Sequence, residues 1–336
     1  MSLDAALPTI ALVLATGLGD PIVTPTSTCF VRASDSASFE FASNPWLNLY
    51  NFLVKEAKQA RGIDDEGLGA RGYVAEDTAA IRALSATEAA EWSNAVDFFS
   101  RQVLPDRLGI DSLVQNVNTV LTLVSPNDDL AAVPLHPELR RVLQDVMPIY
   151  RSAWWPTHDA RNQRWIASMR SQLAGREECL RQRAEMVFRS AWPSPVHVDA
   201  TVYASWFGAY SIHHPTRVTV TANAQGSQGA YGLEVLLHET AHGMLDRLES
   251  ALAGEATRQS KRLPPELSHF VLFYTAGALM KEQQPDYLPF AERFGIWTRN
   301  DRTRRYRAVI EQEWQPYLSG ERTFADAICA LVQRIR

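Results

Sequence analysis

"LEVLLHETAHGML" occupies residues 233–245, and its reading decides the fold. Leu233, Leu236, Leu237, Ala241, Met244 and Leu245, joined by Leu248, make a helix that is apolar over most of its circumference, so the helix is expected to be buried. His238 and His242 stand four apart. On a helix that spacing puts both imidazoles on one face, aimed at a common point. Two ring nitrogens arranged in this way reach one Zn²⁺ at about 2.0–2.1 Å. Glu239 follows the first histidine and would flank the ion without binding it, close enough to take a proton from a water that the ion acidifies. The alternative is a pair of ordinary core histidines sharing a turn. A pattern with three fixed positions arises by chance in roughly one protein in a hundred. Burial favours the metal, because two histidines and a glutamate inside an apolar helix are costly to desolvate unless something satisfies them.

The chain has 336 residues, 46 % hydrophobic and 21 % charged, which provides for a large core and excludes wholesale disorder. A net charge of −5 gives no general attraction to nucleic acid or to anionic membranes. No run of 18 apolar residues is present, so an integral membrane span is not expected. Cys29, Cys179 and Cys329 are far apart and lack metal-site spacing. They read as unpaired core thiols, with one long-range disulfide as the alternative. Residues 1–28 read either as a leader, since "ALPTIALVLATGLG" (6–19) has the apolar texture of a secretory signal, or as an extended start to the fold. Asp4 stands where a signal would carry a positive charge. A periplasmic or secreted location is the expectation, and a cytoplasmic one the alternative.

Along the chain, residues 29–192 read as a mainly helical region. A β-like stretch at 29–41 leads into a helix that starts at Asn44-Pro45 and stops at Gly62. Residues 63–84 read as a connection. Ser85 and Glu88 then form a capping box for the next helix. Further helices are expected at 110–124, 136–154 and 158–190. From 194 the density of Val, Thr, Tyr and Phe predicts two or three short strands, and "AQGSQGA" (224–230) a turn. One helix from about 232 to 252, another from about 265 to 282 and two or three in the tail complete the chain. "WTRNDRTRRYR" (297–307) reads as a solvated helix face rather than a nucleic-acid patch, and "SAWWPTH" (152–158) as helix-end packing.

With "HETAH" on a buried helix and "RVTVTAN" (217–223) before it, residues 216–280 resemble the active-site helix and edge strand of zincin metallopeptidases. "NPW" (44–46) and "FYTAG" (273–277) are similar in style to segments of bacterial zincin-like proteins. The resemblance implies an α+β, mainly helical protein in which residues 193–336 form a zincin-like metallopeptidase region packed on the helical N-terminal half. It implies one zinc ion, Glu239 as general base, and a peptide or protein substrate laid along the edge strand, identified here with 216–222, by β-augmentation. An inactive zincin-like scaffold and a metal-free helical binding protein remain as alternatives.

Catalytic zinc keeps three protein ligands and one open position. The metzincin extension would need Gly at 245 and His at 248, and both are Leu. A following helix, as in the gluzincins, is then the source of the third ligand, and "PPELSHFVLFYTAGALM" (264–280) offers His269 and Glu266. His269 lies deeper in the apolar run and is preferred. Glu266 and Glu255 are alternatives. A histidine here departs from the gluzincin glutamate and leaves the substrate class open. Tyr274 is the nearest candidate oxyanion stabiliser in sequence, with Tyr210, His213, His214 and Tyr231 as alternatives, and Asp246 could orient a ligand from one turn beyond His242.

Overall fold

The computed structural model describes residues 38–63, 75–105, 114–204, 208–213 and 215–335. The expectations for residues 1–28, for most of the β-like stretch and for His214 lie outside them. The described chain is mainly helical with one small mixed sheet.

Strand β1 (Phe39–Ala42) leads into helix α1 (Pro45–Ala60). Asn44 caps α1 as its sequence predicts, its side chain accepting from the Trp46 and Leu47 amides. Within the expected connection lies a helix, α2 (Ala75–Ala83), which the sequence reading missed. Helix α3 (Ala86–Phe98) carries the capping box of Ser85 and Glu88 and runs on into a short π-helical segment, Phe99–Val103. Helices α4 (Val114–Leu123) and α5 (Pro137–Ala153) follow. The single long helix expected at 158–190 is two, α6 (Trp155–Leu173) and α7 (Glu177–Phe188). The break falls at Gly175, whose φ of +74° an α-helix cannot accommodate.

Three strands come next: β2 (Val196–Thr201), β3 (Ala209–Ile212) and β4 (Arg217–Thr221). The sheet order is β1-β2-β4-β3, with β1, β2 and β4 parallel and β3 antiparallel to β4. This corrects the strand expectation. "RVTVT" is not an edge but an interior strand, paired on both sides and buried at all five residues. The edge is β3.

The expected continuous helix at 232–252 is interrupted. Helix α8 (Gly229–Ala241) ends in a 3₁₀ turn, His242–Met244, and α9 (Asp246–Arg258) sets off separately. Gly243 permits the close approach that the turn requires: a Cβ there would lie 3.3 Å from Thr216 Oγ1 and 3.5 Å from His213 Nδ1. Helices α10 (Leu267–Gln283), α11 (Phe290–Arg293), α12 (Asp301–Leu318) and α13 (Phe324–Arg334) complete the fold. The basic run falls largely on α12, where Arg304 pairs with Asp301, and Arg307 with Glu292 and Glu311.

The apolar interior gathers in two main clusters. One core gathers Trp46, Phe52, Trp92, Phe99, Tyr150 and Trp154 from the N-terminal helices. The other joins α7 and α6 from Trp165 on to the sheet and to α8, α9, α10, α12 and α13, while Trp155 at the start of α6 packs on the first. Asn48 spans the seam, donating to the Ala200 carbonyl and accepting from the Val202 amide. Trp154 sits at the α5–α6 junction with its ring centroid 4.3 Å from that of Trp92, the helix-end packing expected of "SAWWPTH". Cys179 is disulfide-bonded and Cys329 is free, which favours the alternative of one disulfide over three unpaired thiols.

A buried polar cluster anchors α2. Asp77, 2 % exposed, lies 3.1 Å from His158 Nε2 and 3.1 Å from an Arg161 guanidinium nitrogen, with Lys55 Nζ at 3.7 Å. Tyr150 Oη lies 3.0 Å from His158 Nδ1. Burial raises the Asp77 pKa, but the hydrogen bond with His158 and the Lys55 and Arg161 charges outweigh it and hold the carboxyl below its ordinary value. Asp77→Asn leaves two cations without their counter-charge, and the expected loss is about 3 kcal/mol by urea denaturation at pH 7. Because the folded pKa is depressed, this contribution is complete above the unfolded value of about 3.9 and is lost as the pH falls through the folded value. The gap between wild type and variant should therefore close below about pH 4. A gap unchanged at pH 3 would show that the carboxylate charge is not what stabilises the cluster.

Candidate metal centre

Helix α8 packs between the sheet and helices α6 and α10, and burial of Leu233, Leu236 and Leu237 fixes its rotation. His238 is carried on its last full turn, His242 on the 3₁₀ turn that follows, and His269 on the first turn of α10. The three imidazoles converge although they come from separate segments. Each offers a nitrogen within 4.8 Å of the others, and the ring centroids are 4.9 to 5.1 Å apart. His238 Nε2 and His269 Nε2 face one another at 3.1 Å. Tetrahedral bonds of 2.0–2.1 Å set two donors about 3.3–3.4 Å apart, so this spacing needs only a small opening to fit zinc. His238 is 6 % exposed and its Nδ1 has no hydrogen-bond partner. The donor set fits a borderline-soft divalent ion.

The electrostatics favour neutral rings, the form that binds a metal. Burial, then the charges of His242 and His269, takes His238 well below its ordinary pKa. Burial, then His269 and His213, takes His242 down to about 4. Burial lowers His269 as well. It pushes the Glu239 carboxyl up to about 7, with a hydrogen bond from Ser211 acting in the opposite sense.

The cluster opens on a cavity of about 260 Å³ bounded by β3, α8, α10 and Phe290. Glu239 stands at its wall beside His238. The pleat sorts the residues of β3: Ser211 pairs with Val218 on the face turned to α8, and Tyr210 pairs with Thr219 on the other. Phe273 stacks against the cluster, its centroid 4.2 Å from that of His238 and 4.7 Å from that of His269. No Lys or Arg lines the cavity among the described residues.

Of the other sequence candidates among the described residues, Tyr210 and His213 line the cavity and the rest lie elsewhere. Glu266 stands at the α10 N-terminus, 3.0 Å from Arg302, and Glu255 pairs with Arg258. Neither joins the histidines. The Tyr274 hydroxyl donates to Gln315 Oε1 at 2.9 Å, in a second cavity on the far side of Phe273, which removes it from the oxyanion position. The buried Tyr210 hydroxyl is set among Asn51 and Thr219 on the opposite face of the sheet. Tyr231 packs on Tyr287 and Phe294, and Asp246 is exposed at the start of α9. His213, one of the alternative oxyanion candidates, lines the cavity with its centroid 6.3 Å from that of His242. The sequence reading also passed over Glu234, which lines the cavity one turn before His238. A carboxylate on the ligand face of an apolar helix was the available signal.

No family model, curated protein or solved structure matches this chain.

Proposed function

We propose that the protein is a zinc-dependent peptidase of zincin type. The observation that carries this reading is the convergence of His238, His242 and His269 with Glu239 at the wall of one cavity, beside a sheet-edge strand. The three imidazoles would hold a single ion. A zinc ion held by these residues would supply Lewis acidity toward the attacking water and the scissile carbonyl. Glu239 accepts that water's proton on a carboxylate oxygen and returns it to the leaving amine. Ser211 orients the carboxylate through its hydroxyl. His213, at the cavity rim near His242, is the group placed to donate a hydrogen bond to the developing oxyanion, the role expected earlier of Tyr274. The outer edge of β3 is where an extended peptide would add as a further strand, its carbonyls running past the histidine cluster. The disulfide at Cys179 supports an oxidising compartment, in line with export.

Metal analysis of protein purified without added zinc, together with cleavage of a broad peptide library, tests the reading. One zinc per chain with cleavage is the expected result. Zinc without cleavage would leave a scaffold, and protein free of metal would leave the histidines as core residues.

A further inference from the structure

Glu234 is a charged residue in the cavity for which the proposed chemistry has no use. It is 2 % exposed, yet only half of its carboxylate is engaged: Oε2 accepts from the Tyr287 hydroxyl at 2.6 Å and from the Phe290 amide at 2.8 Å. Oε1 has no hydrogen-bond partner. Helix α10 comes close to this oxygen because residue 277 is glycine; a Cβ there would lie 3.3 Å from Oε1. Burial pushes the Glu234 carboxyl up to about 7 against the hydrogen bonds from Tyr287 and Phe290, and the Glu292 carboxylate, also an anion, acts in the same sense as burial. A buried carboxylate oxygen with no donor beside it is costly, and in a cavity without Lys or Arg the missing donor has to come from what enters.

We infer that Glu234 selects substrates carrying an ammonium or guanidinium group next to the scissile bond, with Oε1 as its acceptor. The inference rests on the peptidase reading and adds the substrate class. Four residues along a helix span about 6 Å and return to the same face. A cation held at Glu234 is thus within about one residue of a carbonyl held at the histidine cluster. Val235 and Phe290, which also line the cavity, give an aliphatic stem an apolar wall. Tyr287 and the Phe290 amide hold Oε2 and so position the whole carboxylate, leaving Oε1 preorganised for a charge-assisted bond.

The cation has two sources, a basic side chain or a free terminal amine, and amino-acid hydroxamates separate them without requiring turnover. Calorimetry on the zinc-loaded protein would compare N-acetyl-lysine hydroxamate with N-acetyl-norleucine hydroxamate, and free norleucine hydroxamate with its N-acetylated form. A preference of about 10- to 100-fold for the cationic member of one pair is expected. The first pair assigns the side chain and the second the terminus. In Glu234→Gln, which keeps acceptors for Tyr287 and Phe290, the preference should vanish while zinc content and melting temperature hold. Equal affinities in both pairs, including no binding of any of the four, overturn the inference, as does a preference that survives Glu234→Gln. Should the variant not fold, the wild-type pairs decide alone. Cleavage of peptides with no preference for cations would sink this inference and leave the peptidase reading standing. Selective binding without cleavage would do the reverse.

Discussion

Glu239→Gln is expected to lower peptide turnover by about 10²- to 10⁴-fold, the usual share of a positioned general base, while one zinc stays bound per chain. The substitution keeps the shape of the side chain and an oxygen that can accept from Ser211, so the wall of the cavity is unchanged. What it removes is the ability to take up a proton. The three imidazoles are untouched, so metal content, read by atomic emission on protein desalted without chelator, should match wild type. A variant that cleaves at the wild-type rate would show that Glu239 is not the base. A variant that loses its metal would show that this carboxylate is part of the binding site.

His269→Ala is expected to weaken zinc binding by roughly 10²- to 10³-fold in competition with a chelating dye. Four-ligand zinc sites are worth about 10–16 kcal/mol in all, so one ligand of such a set carries about 2.5–4 kcal/mol. His269 is half-buried at the start of α10, where its loss exposes little core, and unfolding without metal should change by less than about 1 kcal/mol. Glu266→Gln is the matched control. It removes one member of the ion pair with Arg302 and should leave zinc affinity unchanged. If the glutamate rather than the histidine proved to govern affinity, the centre would have to be rebuilt around a different α10 rotation.

How far the sequence disclosed this site depends on the range of the interactions involved. The shared face of His238 and His242 and the helix starts at Asn44 and Ser85 rest on spacing within one or two turns, and His269 is preferred to Glu266 for its depth in the apolar run of its own helix. Such local geometry is written into the residue order. Strand order is not: β4 has the β-branched texture of any short strand, and its central place follows from β3 folding back against it after both are made. The interruption at His242–Met244 depends on Gly243 meeting Thr216, a contact across the β3–β4 connection that periodicity does not register. Tyr274 turned away for a reason present in the numbers: five residues from His269 is about 140° around the helix. Helix α2 is held by Asp77 reaching a histidine 81 residues away, so its own composition gave no sign of it.

Every group assigned to the chemistry hangs on the C-terminal core, and Asn48 bridges the seam to the other. Partial melting of the N-terminal helices would therefore strip away a flank without scattering the ligands.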